Sequence, residues 1–555
     1  MKINLSIYHK LLLLVFISLT SCGISKSLHD VPDVSAYNPV IPERVKTSDS
    51  TFTLGNNHLS KNKQGLWELY VEGNPYRRGL ITGSLTEELF HNQEAIFVSK
   101  IDKFVPSKTK QALLRRFLAW YNRKLYLNVP SEFKTEIYGL SKYASPNYNY
   151  IAEPYLRVLY FHGAHDIGHA LQDLALVGCS SFAAWDDKTE DGSLIIGRNL
   201  DFYAGDDFAQ EKIVSFTNPT EGYKFMSVTW AGMLGVLSGM NEHGLTVTIN
   251  AGKSKIPLVA KTPISILNRE ILQYATTIEE AIAIAKKRQV FVSESILVGS
   301  AADRKAILIE VSPHNFGVYD VENSNQIICS NHFQSDAYAN DKNNLKHIEE
   351  SHSQYRYERM EELLDQNPKL TPKIAVDILR NKEGLNDKAI GYGNEKALNQ
   401  LLAHHAVVFK PEQRLVWVSS NPYQLGEFVA YDLNDIFKNP TKKSLANTEL
   451  NIEEDPFQYT EAYKNYQAYR QLRQEVLSKI ETKNDIDLET LSRLENLNPN
   501  YWEAYYLVGK YYYNKGYYTA ALNTFEIAKT KEITTVPDEE QVDTYIKKLK
   551  RKLDL

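Results

Sequence analysis

The strongest constraint on the fold of this 555-residue chain is an abrupt change of texture at Gly178-Cys179. From about residue 66 to 177 the apolar spacing is largely helical. Residues 108–124 read as an amphipathic helix, and residues 154–176 as another, broken near Gly163 and Gly168. From Gly178 to about Asn250 the pattern becomes short β-type runs separated by turns, at 193–197, 212–216, 225–230 and 245–249. Residues 263–288 are helical, with Thr277 placed to cap a helix before Glu279-Glu280. Strand-like runs return at 295–298, 306–309 and 326–328. Helical patterns follow at 355–364 and 372–381, and a late hairpin pair at 406–409 and 415–418. Strands, helices and strands in this order predict stacked sheets covered by helices, an α+β layering.

The two ends carry different signals. Lys2 and Lys10 precede an apolar run, 11–19, too short to span a membrane comfortably. It ends in Leu19-Thr20-Ser21-Cys22-Gly23, which resembles a bacterial lipoprotein signal; an ordinary cleaved signal peptide is the plainer alternative. The first reading implies cleavage before Cys22, a lipid on its thiol, and a place in the cell envelope, anchored to a membrane that is expected to be the outer one. Residues 1–22 therefore lie outside the fold, and 23–65, polar and without periodicity, read as a tether. The expected divisions after that are a helical segment 66–178, a strand-rich domain 179–437, a polar linker 438–456 and a helical domain 457–555. In the last, Gly509, Tyr512, Gly516, Ala521, Phe525 and Ala528 are spaced as in a tetratricopeptide repeat. One copy does not make a solenoid, so this region is either a helical cap or a module that binds a protein partner. A net charge of -5 gives no basic bias, and so no electrostatic reason to expect a nucleic acid.

The chemistry centres on Gly178-Cys179-Ser180-Ser181-Phe182. Glycine leaves the preceding carbonyl unobstructed, and a thiol is a strong nucleophile once a base helps remove its proton. If Cys179 attacks its own preceding peptide, the chain splits and Cys179 gains a free α-amine of reference pKa about 7.7–8.0, suited to base work near neutrality. Taken alone, a Gly-Cys is more often the mark of a buried structural cysteine. Four further fragments accompany this one in order. They are Gly197-Arg198-Asn199-Leu200-Asp201-Phe202; Gly239-Met240-Asn241-Glu242-His243-Gly244-Leu245, leading into a strand that ends at Asn250; Ser330-Asn331-His332-Phe333; and Ser353-Gln354-Tyr355-Arg356-Tyr357-Glu358-Arg359.

Together, over residues 73–433, these fragments resemble the N-terminal nucleophile (Ntn) hydrolases of the acyl-coenzyme A:6-aminopenicillanic acid acyltransferase family. Choloylglycine hydrolases, penicillin V acylases and acid ceramidase-like amidases are more distant relatives. The resemblance implies a four-layer αββα sandwich, self-cleavage between Gly178 and Cys179, and a preceding segment that becomes a separate subunit or propeptide. It implies Cys179 as nucleophile, Asp201 as the carboxylate orienting the new amine, and Arg198 beside the thiolate. It also implies Asn250 in the oxyanion hole, Asn331 as the second asparagine, and Arg356 as the late arginine anchoring the polar network. Arg359, three residues on, could take that last role. Asn199 should face away from Arg198 by strand alternation.

Two other motifs compete for attention. His165 and His169 stand at helical spacing that can hold zinc, but with Asp166 between them and no evident third ligand. Cys329 reads as a small buried filler. The expectation is a self-activated cysteine amidohydrolase or acyltransferase that acts through a thioester on a small acyl-amide substrate, with no metal or organic cofactor. The rival is a non-catalytic lipoprotein scaffold that recruits a partner through its helical tail.

Overall fold

The computed structural model describes residues 24–163, 166, 177–202, 205–253, 255, 259–442 and 444–555. Cys22, His165 and His169 lie outside the described residues.

Among the described residues, seventeen strands form two sheets. In chain order they are β1 (Val45–Ser48), β2 (Thr51–Leu54), β3 (Asn57–Lys61), β4 (Trp67–Gly73), β5 (Val177–Ala184), β6 (Ile195–Phe202), β7 (Ile213–Pro219), β8 (Phe225–Thr229), β9 (Ser238–Asn241), β10 (Leu245–Ala251), β11 (Glu294–Ser300), β12 (Lys305–Val311), β13 (Phe316–Tyr319), β14 (Gln326–Cys329), β15 (His405–Lys410), β16 (Leu415–Ser419) and β17 (Phe428–Asp432). The larger sheet runs β1-β2-β3-β4-β7-β8-β9-β10-β11-β12-β13, and the smaller runs β14-β5-β6-β15-β16-β17. Pairing is antiparallel except for β4 against β7. Strands β10 and β11 are buried along their whole length and β12 along nearly all of it, since both faces of this part of the sheet are covered.

Buried clusters define the layers. One lies between the larger sheet and the helices Pro75–Phe104 (α1), Ser131–Ser141 (α2), Pro154–His162 (α3), Ile264–Tyr274 (α4) and Ile278–Lys287 (α5). A second, including Ile196, Phe216, Leu308 and Val407, fills the space between the sheets. A third joins the outer face of the smaller sheet to Ser353–Gln366 (α6) and Pro372–Leu379 (α7). The result is the expected α+β, helix-sheet-sheet-helix stack. Thr277 caps α5, its side chain accepting from Glu280 N.

Three boundaries differ from expectation. The segment expected to be a tether contains β1–β3: Phe52, Leu54 and Leu59 alternate inward, and Gly55, at φ +62°, makes the two-residue turn between β2 and β3. The segment expected to be helical begins with β4. Its Trp67, Leu69 and Val71 face the helices while Tyr70 faces the smaller sheet, an alternation that Glu68 and Glu72 obscure in sequence. The expected linker lies along the edge strand β17 through bridges Tyr431↔Ala446 and Phe428↔Ile452, covering backbone groups an edge would otherwise expose.

The C-terminal helices Glu461–Glu481 (α8), Leu488–Leu497 (α9), Trp502–Lys515 (α10), Tyr518–Lys529 (α11) and Val536–Lys552 (α12) share a tyrosine-rich core. Gly509 lets α10 approach the Phe525 ring of α11, where a Cβ would lie 3.1 Å from that ring. Leu401 and Leu425 of the main body enter the same core, and Tyr392 N donates to Asn498 Oδ1, so the helices are joined to the sandwich.

Candidate active site

The ladder between β5 and β6 places Cys179 opposite Leu200 and Gly178 opposite Asp201. Alternation turns Cys179, Ser181 and Arg198 toward the larger sheet, and Asn199 away from it. Asn199 accordingly donates to Leu379 O and Leu398 O on the outer side.

Each polar group of Cys179 meets a different partner. Its backbone N donates to Asn331 Oδ1 at 2.9 Å. Its carbonyl accepts from Arg356 Nη1 at 2.6 Å, and the same nitrogen reaches Ser180 Oγ at 2.9 Å. Its Sγ lies 3.9 Å from Arg198 Nη2. Arg356 Nη2 also donates to Asn331 Oδ1 at 2.6 Å, which ties the asparagine to the arginine. Arg359 instead pairs with Glu362 and Asp387 at the far side of α6, so Arg356 is the arginine that enters the site.

Arg198 is fully buried and held from the larger sheet. Nη1 donates to Ser238 Oγ at 2.5 Å and lies 3.3 Å from His405 Nε2, and Nη2 donates to Ile249 O at 2.6 Å. Burial pushes the Cys179 thiol up, and the Arg198 charge opposes that by favouring the thiolate. Burial pulls His405 well below its ordinary value, so a neutral imidazole stands beside the guanidinium.

Asn250 makes contacts that its expected role does not call for, and the Asp201 carboxylate makes no hydrogen bond among the described residues. Asn250 Nδ2 donates to Cys329 O at 3.0 Å, and its Oδ1 accepts from Ser181 Oγ at 2.7 Å. Asn331, not Asp201, holds Cys179 N. The Asp201 carboxylate is buried without a hydrogen-bond partner among the described residues, and burial raises it to about 7 against the opposing charges of Arg356 and Arg198. It faces Gly178 across the ladder, one rung from Cys179.

Sequence reasoning missed Ser181, Ser238, His352 and His405. Ser181 was within reach, since it shares the face of Cys179 two residues on. Ser238 and His405 reach Arg198 from other strands and nothing local marks them. His352 lies 3.1 Å from Arg356 Nη2 and is held neutral by burial and by that charge. Cys329 is a buried free thiol between the sheets, as expected of a filler.

Residues 188–422 match the family model of acyl-coenzyme A:6-aminopenicillanic acid acyl-transferase. An uncharacterized protein of Archaeoglobus fulgidus is 26% identical over 276 residues, 46% of this chain and 45% of that protein. Protein dcd1B of Dictyostelium discoideum is 25% identical over 275 residues, 46% of this chain and 52% of its own length. The chain thus spans about half the length of the curated relatives it matches. Among solved structures, a Caenorhabditis elegans ortholog of N-acylethanolamine-hydrolyzing acid amidase is similar over 42% of this chain and 93% of that one, at 20% identity and a TM-score of 0.31. Conjugated bile acid hydrolase from Clostridium perfringens is similar over 46% and 93%, at 14% identity and a TM-score of 0.30. Residues 188–422 are thus similar to the acyl-coenzyme A:6-aminopenicillanic acid acyl-transferase family, and the rest of the chain lies outside that match.

Proposed function

We propose that this chain is a self-activated Ntn-type cysteine amidohydrolase or acyltransferase acting on a non-peptide acyl-amide. The observation that carries the reading is the frame around Cys179: its amide, carbonyl and thiol are each met by a different buried polar side chain, two of them arginines. In the first step Sγ adds to the Gly178 carbonyl carbon. The Gly178–Cys179 C–N bond breaks as nitrogen takes the thiol proton, and water then hydrolyses the resulting thioester. In the mature protein the freed amine takes the thiol proton, Sγ attacks the acyl carbonyl of the substrate, and the amine product leaves with that proton. Water, or a second amine, removes the acyl group from the thioester.

Arg198 favours the thiolate, and Asp201, with a carboxyl raised to about 7 and next to the newly opened end, is placed to steady the amine. Arg356 fixes Asn331, whose Oδ1 holds the nitrogen. Turning Asn250 Nδ2 or Asn331 Nδ2 toward the acyl oxygen would supply the donors an oxyanion needs.

The test is a denaturing gel of purified protein beside Cys179→Ala, with the N-terminus of each band sequenced. Self-cleavage gives a fragment beginning at Cys179 that is absent from the alanine variant. A single uncut band from wild-type protein that hydrolyses amides would defeat the mechanism, and an uncut, inactive wild type would favour the scaffold reading. We propose in addition that Cys22 carries a lipid that anchors the chain in a bacterial envelope. Metabolic labelling with a radioactive fatty acid, lost in Cys22→Ala, tests this.

A further inference from the structure

The helix Lys108–Tyr121, between α1 and α2, buries only Gln111 and Tyr121. The shorter α4 buries Ile264, Ile266, Leu267, Ile271 and Leu272, as expected of a helix that turns its apolar stripe to a core. In Lys108–Tyr121, Leu114 and Leu118 share the side of the buried pair. Leu113, Phe117 and Trp120, spaced i, i+4 and i+7, form a second apolar stripe on the outward side. Leu113 is 53% exposed, and no residue of that stripe is buried among the described residues. The end of α1 is held beside this helix: Gln111 Nε2 donates to Asp102 Oδ1 at 2.7 Å and to Val105 O at 2.8 Å, next to Phe104, which is 68% exposed.

The charge around the stripe is one-sided. Residues 100–127 hold eight lysines and arginines and one acid, Asp102, in a chain whose net charge is -5. That acid is already paired with Lys108 at 3.1 Å. Lys110 and Arg116 are exposed and flank the stripe on the helix surface, and the Arg123 guanidinium lies 4.2 Å over the Trp120 ring. An apolar stripe bordered by cations offers the two attractions that hold a helix flat in a lipid headgroup layer. Leucine, phenylalanine and tryptophan bury at the acyl boundary, and lysine and arginine meet anionic headgroups. At 14 residues the helix is about 21 Å long, short of a hydrocarbon core of about 30 Å, so it is suited to lie in that layer and not to cross it. A second copy of the chain would bring the same cations against these, and their repulsion opposes that pairing.

We infer that the outward face of Lys108–Tyr121 docks on an anionic lipid surface, with Leu113, Phe117 and Trp120 entering the headgroup layer. This contact rests neither on the amidohydrolase reading nor on a lipid at Cys22. The family match begins at residue 188, so the docking helix belongs to a part of the chain that the match does not reach.

The test uses the chain from Gly23 onward, which keeps every described residue and carries neither the leader nor a lipid. Of the six tryptophans, Trp67, Trp185, Trp230, Trp417 and Trp502 are at most 7% exposed, so lipid contact at the surface is read by Trp120. Its fluorescence is titrated with vesicles of dibrominated phosphatidylcholine, with and without an equal share of phosphatidylglycerol. Quenching by the anionic vesicles alone, absent from Trp120→Phe, is expected. The double variant Lys110→Gln/Arg116→Gln, at exposed positions, should raise the half-quenching lipid concentration about thirtyfold, the worth of two surface cations, without moving the melting temperature. Leu113→Ala/Phe117→Ala should raise it by about tenfold or more through lost apolar burial. No quenching by anionic vesicles, equal quenching by neutral ones, quenching that survives in Trp120→Phe, or an unchanged midpoint in either double variant would each overturn the assignment. So would a dimer in sedimentation that Leu113→Ala/Phe117→Ala dissolves, which would give the face to a second copy.

Discussion

Replacing Arg198 with methionine isolates the cation that, among the described residues, touches the Cys179 sulfur. Methionine fills most of the volume without charge. At an effective permittivity of about 20, opposite unit charges 3.9 Å apart attract by about 4 kcal/mol. At 1.36 kcal/mol per unit, removing that attraction raises the thiol pKa by about three units at most. Relaxation and entry of water will reduce this, so a rise of one to three units is expected. The assay is the rate of iodoacetamide alkylation against pH, read by mass at the Cys179-containing peptide so that Cys329 does not contribute. Arg198→Met should move the midpoint upward and slow alkylation at pH 7 by one to three decades, whereas Arg198→Lys, which keeps the charge, should shift it by less than one unit. Stripping Ser238 Oγ, Ile249 O and His405 Nε2 of their shared donor also costs stability, about 1–3 kcal/mol for a buried acceptor left unsatisfied. Alkylation is therefore compared only at temperatures where circular dichroism shows the variant folded. An identical midpoint in wild type and in folded Arg198→Met would refute the claim that this guanidinium sets the thiol's ionisation.

Two buried groups should give stability opposite slopes with pH. Asp201 is raised from 3.8 to about 7, so between those values the folded chain holds a proton the unfolded chain has lost; stability falls as pH rises through that window, and Asp201→Asn should flatten the fall in melting temperature. Lys212 is lowered from 10.5 to about 7 by burial, so between about pH 7 and 10.5 the unfolded chain holds the extra proton and stability rises with pH. Lys212→Met should flatten that rise and lift the melting temperature at pH 7, and an unchanged pH profile would contradict the burial. At Gly178 an added Cβ would sit 2.3 Å from Gln400 Nε2. Gly178→Val should therefore slow appearance of the fragment beginning at Cys179 on a timed gel, and cutting at the wild-type rate would show that the close approach is irrelevant. His405→Ala should move the Cys179 alkylation midpoint in the same direction as Arg198→Met but less far, because it releases one of the three groups that hold the guanidinium.

The site was legible where it is written along a strand and its period. Arg198 and Cys179 share a face because both stand on adjacent strands with a side-chain repeat of two, and Asn199 falls on the other face for the same reason. The choice of Arg356 over Arg359 was not decided by spacing, since both are buried on α6; it was settled by which end of each guanidinium meets the smaller sheet. Ser238 and His405 could not be read, because they reach Arg198 across 40 and 207 residues of chain. In the fold, the long apolar strands declared themselves. β4 did not, because its two glutamates break the apolar run, and one of them, Glu68, is buried by accepting from Asn62 and the Tyr431 hydroxyl.

β4 also bears on what self-cleavage before Cys179 would mean for the molecule. It is donated by the portion of the chain that precedes Cys179, yet it lies inside the larger sheet, paired over seven rungs with β7 from the portion that follows. A chain cut before Cys179 would thus be two polypeptides sharing one sheet. Folding would have been unimolecular the first time, but recovery after denaturation would require two separate strands to find each other at the concentration of the protein. The cut would act as a ratchet: the mature enzyme would persist through slow unfolding, not ready refolding, and damage that opened the sheet would be permanent.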